Sequence, residues 1–336
     1  LAYLAHRLAV TIEEVPQPTT PAAGFKALAY FDPPPPGSKA TPKLVGHYPC
    51  AVFETLASDG RQHAHRIYVA PGGAGKAELG DRSDGRPRDP KKSAKVVGET
   101  STAGCAVLWG NPTTAPHLLL SEGIETGAAV ALAVAAEIED GRVAVAAAVS
   151  AVGMEAFKPW PATRRVTVAA DRDEALKPDG RPGSRRGERA ARVFGLQHHQ
   201  TLEIGVALPG VAGENVDWLD MLLRDGRDAV RAELLAAVLF VPTRAEQEQA
   251  EQQQQRRDEL EEVGRLYPLP IMDTVALSYT YSSSGRIRIH KTIAWEEDAQ
   301  TGAKKPVLVP VATPFGVAAR LRLVDQGQAY GLRAVV

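Results

Sequence analysis

HLLLSEGIETGAAVALAVAAEI at residues 117–138, VAVAAAVS at 143–150 and RVTVAADRDE at 165–174 decide how this chain folds. HLLLS is a short apolar run of the length a strand buried on both faces needs. GIETGAAVALAVAAEI has the length and alanine content of a helix. After the turn signal Asp140-Gly141 comes VAVAAAVS, and then RVTVAAD, rich in β-branched residues. A Gly- and Arg-rich loop, the helical pattern RRGERAARVFGL (185–196) and the strand pattern TLEIGVAL (201–208) complete the rhythm. Strands alternating with helices at this spacing predict an α/β fold with a mainly parallel sheet and helices on both faces. In such sheets the working site lies beyond the carboxyl ends of the strands. Glu122, just after HLLLS, and Asp171 and Asp173, just after RVTVAA, are therefore the candidate functional residues.

Alternation along an extended chain places Asp171 and Asp173 on one side, and a neighbouring parallel strand brings Glu122 across from them. Three carboxylates converging on one edge repel unless a divalent cation is bound. Mg²⁺, or Mn²⁺ in its place, is the expected ion, because it accepts a few carboxylates while keeping waters and substrate phosphates in its octahedron. A site of this kind supports phosphoryl or nucleotidyl transfer by charge neutralisation and positioning.

The ordered series of strand, Glu-Gly, helix, strand, small-residue loop at Ser150 to Gly153, strand, Asp-x-Asp, loop, helix and strand resembles the Toprim fold of bacterial-type primases, topoisomerases and some nucleases. SEGIET before an Ala-rich helix, AADRDE before GERAA, and LPG before DWLDMLLRDG look most like the primase-type Toprim proteins of phages, plasmids and integrated elements. The resemblance implies that Glu122, Asp171 and Asp173 are catalytic and bind the metal, with Gly123, Glu125 and Gly153 in support. Glu125 stands where bacterial primases usually carry Asp. A β-rich, basic element ahead of the Toprim domain is implied to hold template and nucleotides, which fits Arg66, Lys91 and Lys92; the local positive excess of residues 172–192 separately makes Arg185 and Arg186 expected nucleic-acid or nucleotide ligands. The implied activity is Mg²⁺-dependent RNA primer synthesis on single-stranded DNA from nucleoside triphosphates, within a mobile-element primase-helicase whose helicase domain or subunit is the partner. A Toprim nuclease, or a non-catalytic DNA-binding module that recruits a helicase, are the alternatives. The sequence departs from the bacterial pattern in having no zinc-binding finger and no clear copy of the upstream basic motif.

Outward from this core, CAVFETL (50–56), the turn signal Asp59-Gly60 and HAHRIYVA (63–70) predict a β-hairpin. The chain opens on a short apolar helix pattern and soon reaches Pro33 to Pro36, a linker or edge. Six basic against three acidic residues between Gly80 and Lys95 make a locally positive loop. Residues 217–240 read as two helices broken at Gly226, with Asp217 and Asp220 expected to serve as helix caps. Residues 244–262, nearly all Glu, Gln and Arg, read as a solvated helical linker. SYTYSSSGRIRIHKTIAW (278–295), with turn signals at Ser284-Gly285 and Thr301-Gly302, begins a β-rich segment. The expected domains are 1–112, a β-rich and partly basic element; 113–240, the α/β domain with trailing helices; 241–265, the linker; and 266–336, the start of a β-rich domain.

The 39 basic and 40 acidic residues leave a net charge of −1, so any nucleic-acid affinity must come from local basic patches rather than a global field. Cys50 and Cys105 are too few for a zinc site or a disulfide framework, which makes a reducing cytoplasm the expected compartment. The most apolar run, 128–136, is too short to span a bilayer. A chain that begins at Leu1 and stops at Val336 within an apolar pattern is expected to be a piece of a longer protein. No GxxxxGK[ST] phosphate loop occurs; Gly72 to Lys76 reads as a hairpin turn, and His198-His199 as surface residues at a helix end.

Overall fold

The computed structural model describes residues 1–33, 41–82, 85–95, 102–173 and 183–248, and beyond them strands within 277–335. Residues 34–36 of the proline run, Asp84, residues 174–182 of the Arg-rich loop, 249–262 of the linker and the turns at 284–285 and 301–302 lie outside the described residues. The chain divides into two units, Leu1–Pro242 and Thr243–Val336.

The first unit opens with helix α1 (Ala2–Leu8), which buries Tyr3, Leu4, Ala5 and Leu8. Strands β1 (Ala22–Asp32), β2 (Lys43–Leu56), β3 (Gln62–Tyr68) and β4 (Lys91–Lys95) follow in an antiparallel sheet ordered as in the sequence. The β2–β3 hairpin turns at Asp59-Gly60, where Gly60 takes φ +86°, a conformation open to glycine without steric cost. The faces of this sheet bury different things. Phe53 and Ile67 enter the main core, whereas Tyr30, Cys50 and Tyr68 form a small cluster with Leu79 on the other side.

Next come β5 (Val107–Trp109), β6 (His117–Ser121), α2 (Ile124–Ala133), α3 (Ala135–Glu139), β7 (Val143–Ala147), α4 (Ala151–Glu155), β8 (Arg165–Ala169), β9 (Arg172–Asp173), α5 (Arg186–His198), β10 (Glu203–Ala207), β11 (Asn215–Val216), α6 (Trp218–Asp225), α7 (Arg227–Leu235) and β12 (Val238–Leu239). The six-stranded sheet runs β12-β10-β8-β6-β7-β5, with β10, β8, β6 and β7 parallel and an antiparallel strand at each edge. This is the expected α/β architecture, and its strands show why they read as unbroken apolar runs. Leu118 and Leu120 of β6 pack with α4 and α5 residues such as Met154 and Phe194, while Leu119 packs with Ile124, Trp218 and Leu222 on the opposite face. Side chains of successive residues leave opposite sides of a strand, so both must be apolar when helices cover both faces.

The pattern read as one helix over 123–138 is two helices. Val134 sits at φ −114°, ψ 29°, yet its amide still bonds to Val130 and its carbonyl to Ile138, so the axis turns with both bonds kept. The predicted break at Gly226 is present, with φ +85° between α6 and α7. Among the described residues no helix is long and apolar enough to cross a membrane.

In the second unit, β13 (Leu277–Tyr281), β14 (Ile287–Glu297) and β15 (Lys304–Pro310) form one antiparallel sheet, and β16 (Arg320–Gln326) and β17 (Ala329–Val335) a separate antiparallel pair.

Candidate active site

Glu122 is the first residue beyond β6, and its carboxylate accepts the backbone N–H of Ala151 at the start of α4. Two residues beyond β8 stands Asp171. Its backbone is gripped from both sides: the Trp218 indole N–H donates to the carbonyl of Ala170 at 3.1 Å, and α5 crosses so closely that a Cβ on Gly187 would come within 2.8 Å of the Asp171 carbonyl oxygen. Asp173 is not an extension of β8. It lies in β9, paired with Asn215 of β11, and its carboxylate accepts the Ser184 hydroxyl at 3.1 Å. Gly123 is the N-cap of α2. Gly153 is needed by packing, since a Cβ there would lie 2.0 Å from the carbonyl oxygen of Ala148; its amide donates to the capping Ser150 hydroxyl at 3.0 Å.

The acids act on one another. Burial, then the charges of Asp217, Glu122 and Asp173, push the Asp171 carboxyl up to about 8. Its Oδ1 is buried with no hydrogen-bond partner. Burial also raises Glu122 and Asp217, in Glu122 against the opposing bond from Ala151. An orphaned carboxylate oxygen amid further carboxylates is a donor set suited to a hard cation, so the residues fit a divalent metal. Among the described residues, however, no three Asp, Glu, His or Cys side chains are already gathered tightly enough to hold an ion. The acids share one sheet edge, near enough for the charges of Asp217, Glu122 and Asp173 to act on Asp171.

The expected helix-capping role of Asp217 is present: its carboxylate accepts the Asp220 amide at 2.7 Å, and the Asp220 carboxylate accepts the Asp217 amide. Sequence reasoning missed that this cap also faces Asp171. The available signal was its position, first in a helix that starts on the return from β10 to the same sheet edge.

Glu125 is buried in the first turn of α2, where it accepts the Tyr3 hydroxyl at 2.7 Å and pairs with Lys91 at 2.9 Å and Lys76 at 3.6 Å. Burial alone would raise its carboxyl, but Lys91, Tyr3 and Lys76 outweigh it and hold the group at about 2. Gly72 to Lys76 does form a hairpin-like turn, closed by hydrogen bonds between Ala70 and Gly75 and from Ala77 to Tyr68; the unforeseen part is that it delivers Lys76 to Glu125. Arg7 of α1 adds a cation that acts on Asp217, Tyr3 and Lys76, with its Nε buried and unpartnered.

Lys91 and Lys92 part company. Lys91 is paired with Ile67 across the ladder and Lys92 with Arg66, and cross-strand partners share a face. Lys91 reaches Glu125 and carries its charge toward Glu122 and Asp171. Lys92 lies 4.9 Å above the Tyr30 ring on the other face, with Arg66. Arg88, in the same basic stretch, makes a bidentate bond to Asp32. Arg186 pairs with Glu155 at 2.9 Å and acts on Glu122, while the Arg185 amide donates to the Asp173 carbonyl at 3.3 Å. His198 and His199 are half-buried rather than exposed, because each ring bonds to backbone carbonyls.

Residues 117–228 match the Toprim domain family. This stretch of the chain is a Toprim domain. No curated protein matches the chain. Among solved structures, the chain is similar to the zinc-binding and RNA polymerase domains of the Aquifex aeolicus primase, at 11% identity and TM-score 0.37 over 61% of this chain and 44% of that one. It is also similar to a chain from the bacteriophage T7 lagging-strand DNA polymerase in complex with the primase domains of two gp4 subunits, an RNA/DNA hybrid and dTTP, at 13% identity and TM-score 0.33 over 57% of this chain and 80% of that one. The match spans less than half the length of that Aquifex chain. Within the Toprim domain lie Glu122, Asp171, Asp173 and Asp217, all at the carboxyl edge of its parallel strands.

Proposed function

We propose that this protein is a primase-type nucleotidyltransferase that makes RNA primers on single-stranded DNA. The observation that carries the reading is the Toprim acidic edge set beside a second, cationic group from the preceding sheet and turn, Lys91 and Lys76, tied to the domain through Glu125. Acids and lysines so arranged suit the two halves of a nucleoside triphosphate reaction, the metal-binding half and the phosphate-binding half. Glu122, Asp171 and Asp173, with Asp217, would hold Mg²⁺ or Mn²⁺. The ion would neutralise phosphate charge and orient the reacting oxygens. Ala151 and Ser184 hold the Glu122 and Asp173 carboxylates in place, and the buried surroundings of Asp171 keep bulk water from competing for its free oxygen. Lys91 and Lys76 present ammonium groups to the triphosphate, while Glu125 restrains both without neutralising the pair. A single-stranded template and a helicase domain or subunit are the partners this reading calls for.

Labelled nucleotide incorporation on unprimed single-stranded DNA, run beside a nicking assay on the same preparation, tests it. Asp171→Asn keeps the shape of the side chain but removes a charge that the cation needs, so synthesis should fall by orders of magnitude while DNA binding survives. Loss of nicking instead would make the protein a Toprim nuclease. A wild-type protein that binds DNA and does neither would be a recruitment module.

A further inference from the structure

Helix α5 begins at the acidic edge and runs away from it, and the side of α5 facing β12 forms one wall of an open groove of about 480 Å³. Arg189 and Arg192 line this wall three residues apart on one face of α5, and Arg185, the residue that precedes the helix, continues the row. All three are exposed. The opposite wall is the β12 edge of the sheet, where Val238 is 73% and Leu239 58% exposed and Phe240 lies below them. Phe240 is fixed in place: its amide donates to Ile204 at 2.8 Å, its ring covers Gly195, and the Arg192 guanidinium sits 5.5 Å from the ring centre. Glu188 contributes the only acid among the groove's described lining residues, leaving a surplus of two positive charges.

We infer that this groove is the path by which a single strand of nucleic acid enters or leaves the acidic site. The assignment rests on the nucleic-acid reading of that site. Three features select the occupant. The arginine row complements a phosphate backbone. The apolar wall accepts bases, which a single strand exposes and a duplex keeps stacked inside. The row also begins at the candidate site, because Arg185 is hydrogen-bonded through its amide to Asp173. Arg186 is turned to Glu155 and takes no part, whereas Arg189 stays exposed while its guanidinium donates to the Ser184 carbonyl at 2.7 Å.

The test uses the full chain carrying Arg189→Gln together with Arg192→Gln, two exposed positions away from the acids. Fluorescence anisotropy with labelled oligothymidylates of about 5 and about 30 nucleotides, at several salt concentrations, reads the binding. For the long oligonucleotide the slope of log affinity against log salt should become shallower by about 1.4, about 0.7 for each phosphate that an arginine no longer neutralises. The short one, which the acidic site and its lysines suffice to hold, should keep its slope. An unchanged slope for the long oligonucleotide would overturn the groove while leaving the primase reading intact. A wild-type chain that binds neither oligonucleotide at low salt would overturn both. If the double variant alters the oligomeric state and not the slope, the groove belongs to a protein interface and the inference fails.

Discussion

Glu125 carries more of this molecule than its place in the sequence suggested. It links α1, the Gly72 to Lys76 turn and β4 to the start of α2 through Tyr3, Lys76 and Lys91. Its carboxyl ionises near 2 when folded, against 4.5 when unperturbed. A lowered carboxyl contributes stability that is complete above about pH 4.5 and is lost as the pH falls toward 2, with an upper size of about 3 kcal/mol. Glu125→Gln should therefore lower the thermal midpoint at neutral pH, and the gap from wild type should close as the pH is brought from about 4.5 to about 2.5. A gap that stays constant with pH would show that shape, and not charge, was lost. Glu122 and Asp171 were legible from the strands that end just before them. The division of labour between Lys91 and Lys92 was not, because adjacent residues differ only in parity, and parity is set by how β4 registers against β3.

At the level of elements, α6 does two things with one residue. Asp217 caps the helix and adds charge beside Asp171, and Trp218 ties the helix to the end of β8. The two roles separate by substitution. Asn caps a helix about as well as Asp, whereas Ala costs roughly 1 kcal/mol at such a position. Asp217→Asn should keep the midpoint of the cation-free protein close to that of wild type, and Asp217→Ala should lower it. Both should reduce the rise in midpoint that added Mg²⁺ produces. Differential scanning calorimetry with and without Mg²⁺ checks this, and a full Mg²⁺ response in the Asn variant would leave Asp217 as a cap alone. The helices on either side of Gly226 were readable from their caps and apolar spacing. That α5 presses its Gly187 onto the Asp171 backbone was not, since a glycine inside a helix pattern does not say what approaches it.

Across the first unit as a whole, the antiparallel sheet and the Toprim sheet share one core. Phe53 and Ile67 are buried together with Trp109, Leu119 and Ile124. Phe53→Ala should cost about 3–5 kcal/mol, and the loss should be felt well beyond its own sheet. Amide hydrogen exchange should quicken in β6 and β8 as well as in β2 and β3. If exchange rises only in β2 and β3, the two sheets unfold as separate units. The whole chain carries a formal charge of −1, so its electrostatic character comes from local separation of acids at the strand ends from cations in Lys76, Lys91 and the face of α5.

The sequence by itself determined the order of strands and helices, the two-sided burial of the parallel strands and the acids that follow them, because periodicity and strand-end position are properties of neighbours along the chain. Only the tertiary structure decided that Asp217 joins those acids, that Lys76 and Lys91 reach Glu125 while Lys92 and Arg66 face away, and that Arg189 and Arg192 line a groove. Each of those outcomes depends on ladder register or on the close approach of elements far apart in sequence. Such approaches follow from packing two sheets and their helices around a common core, a constraint that no local window of residues contains.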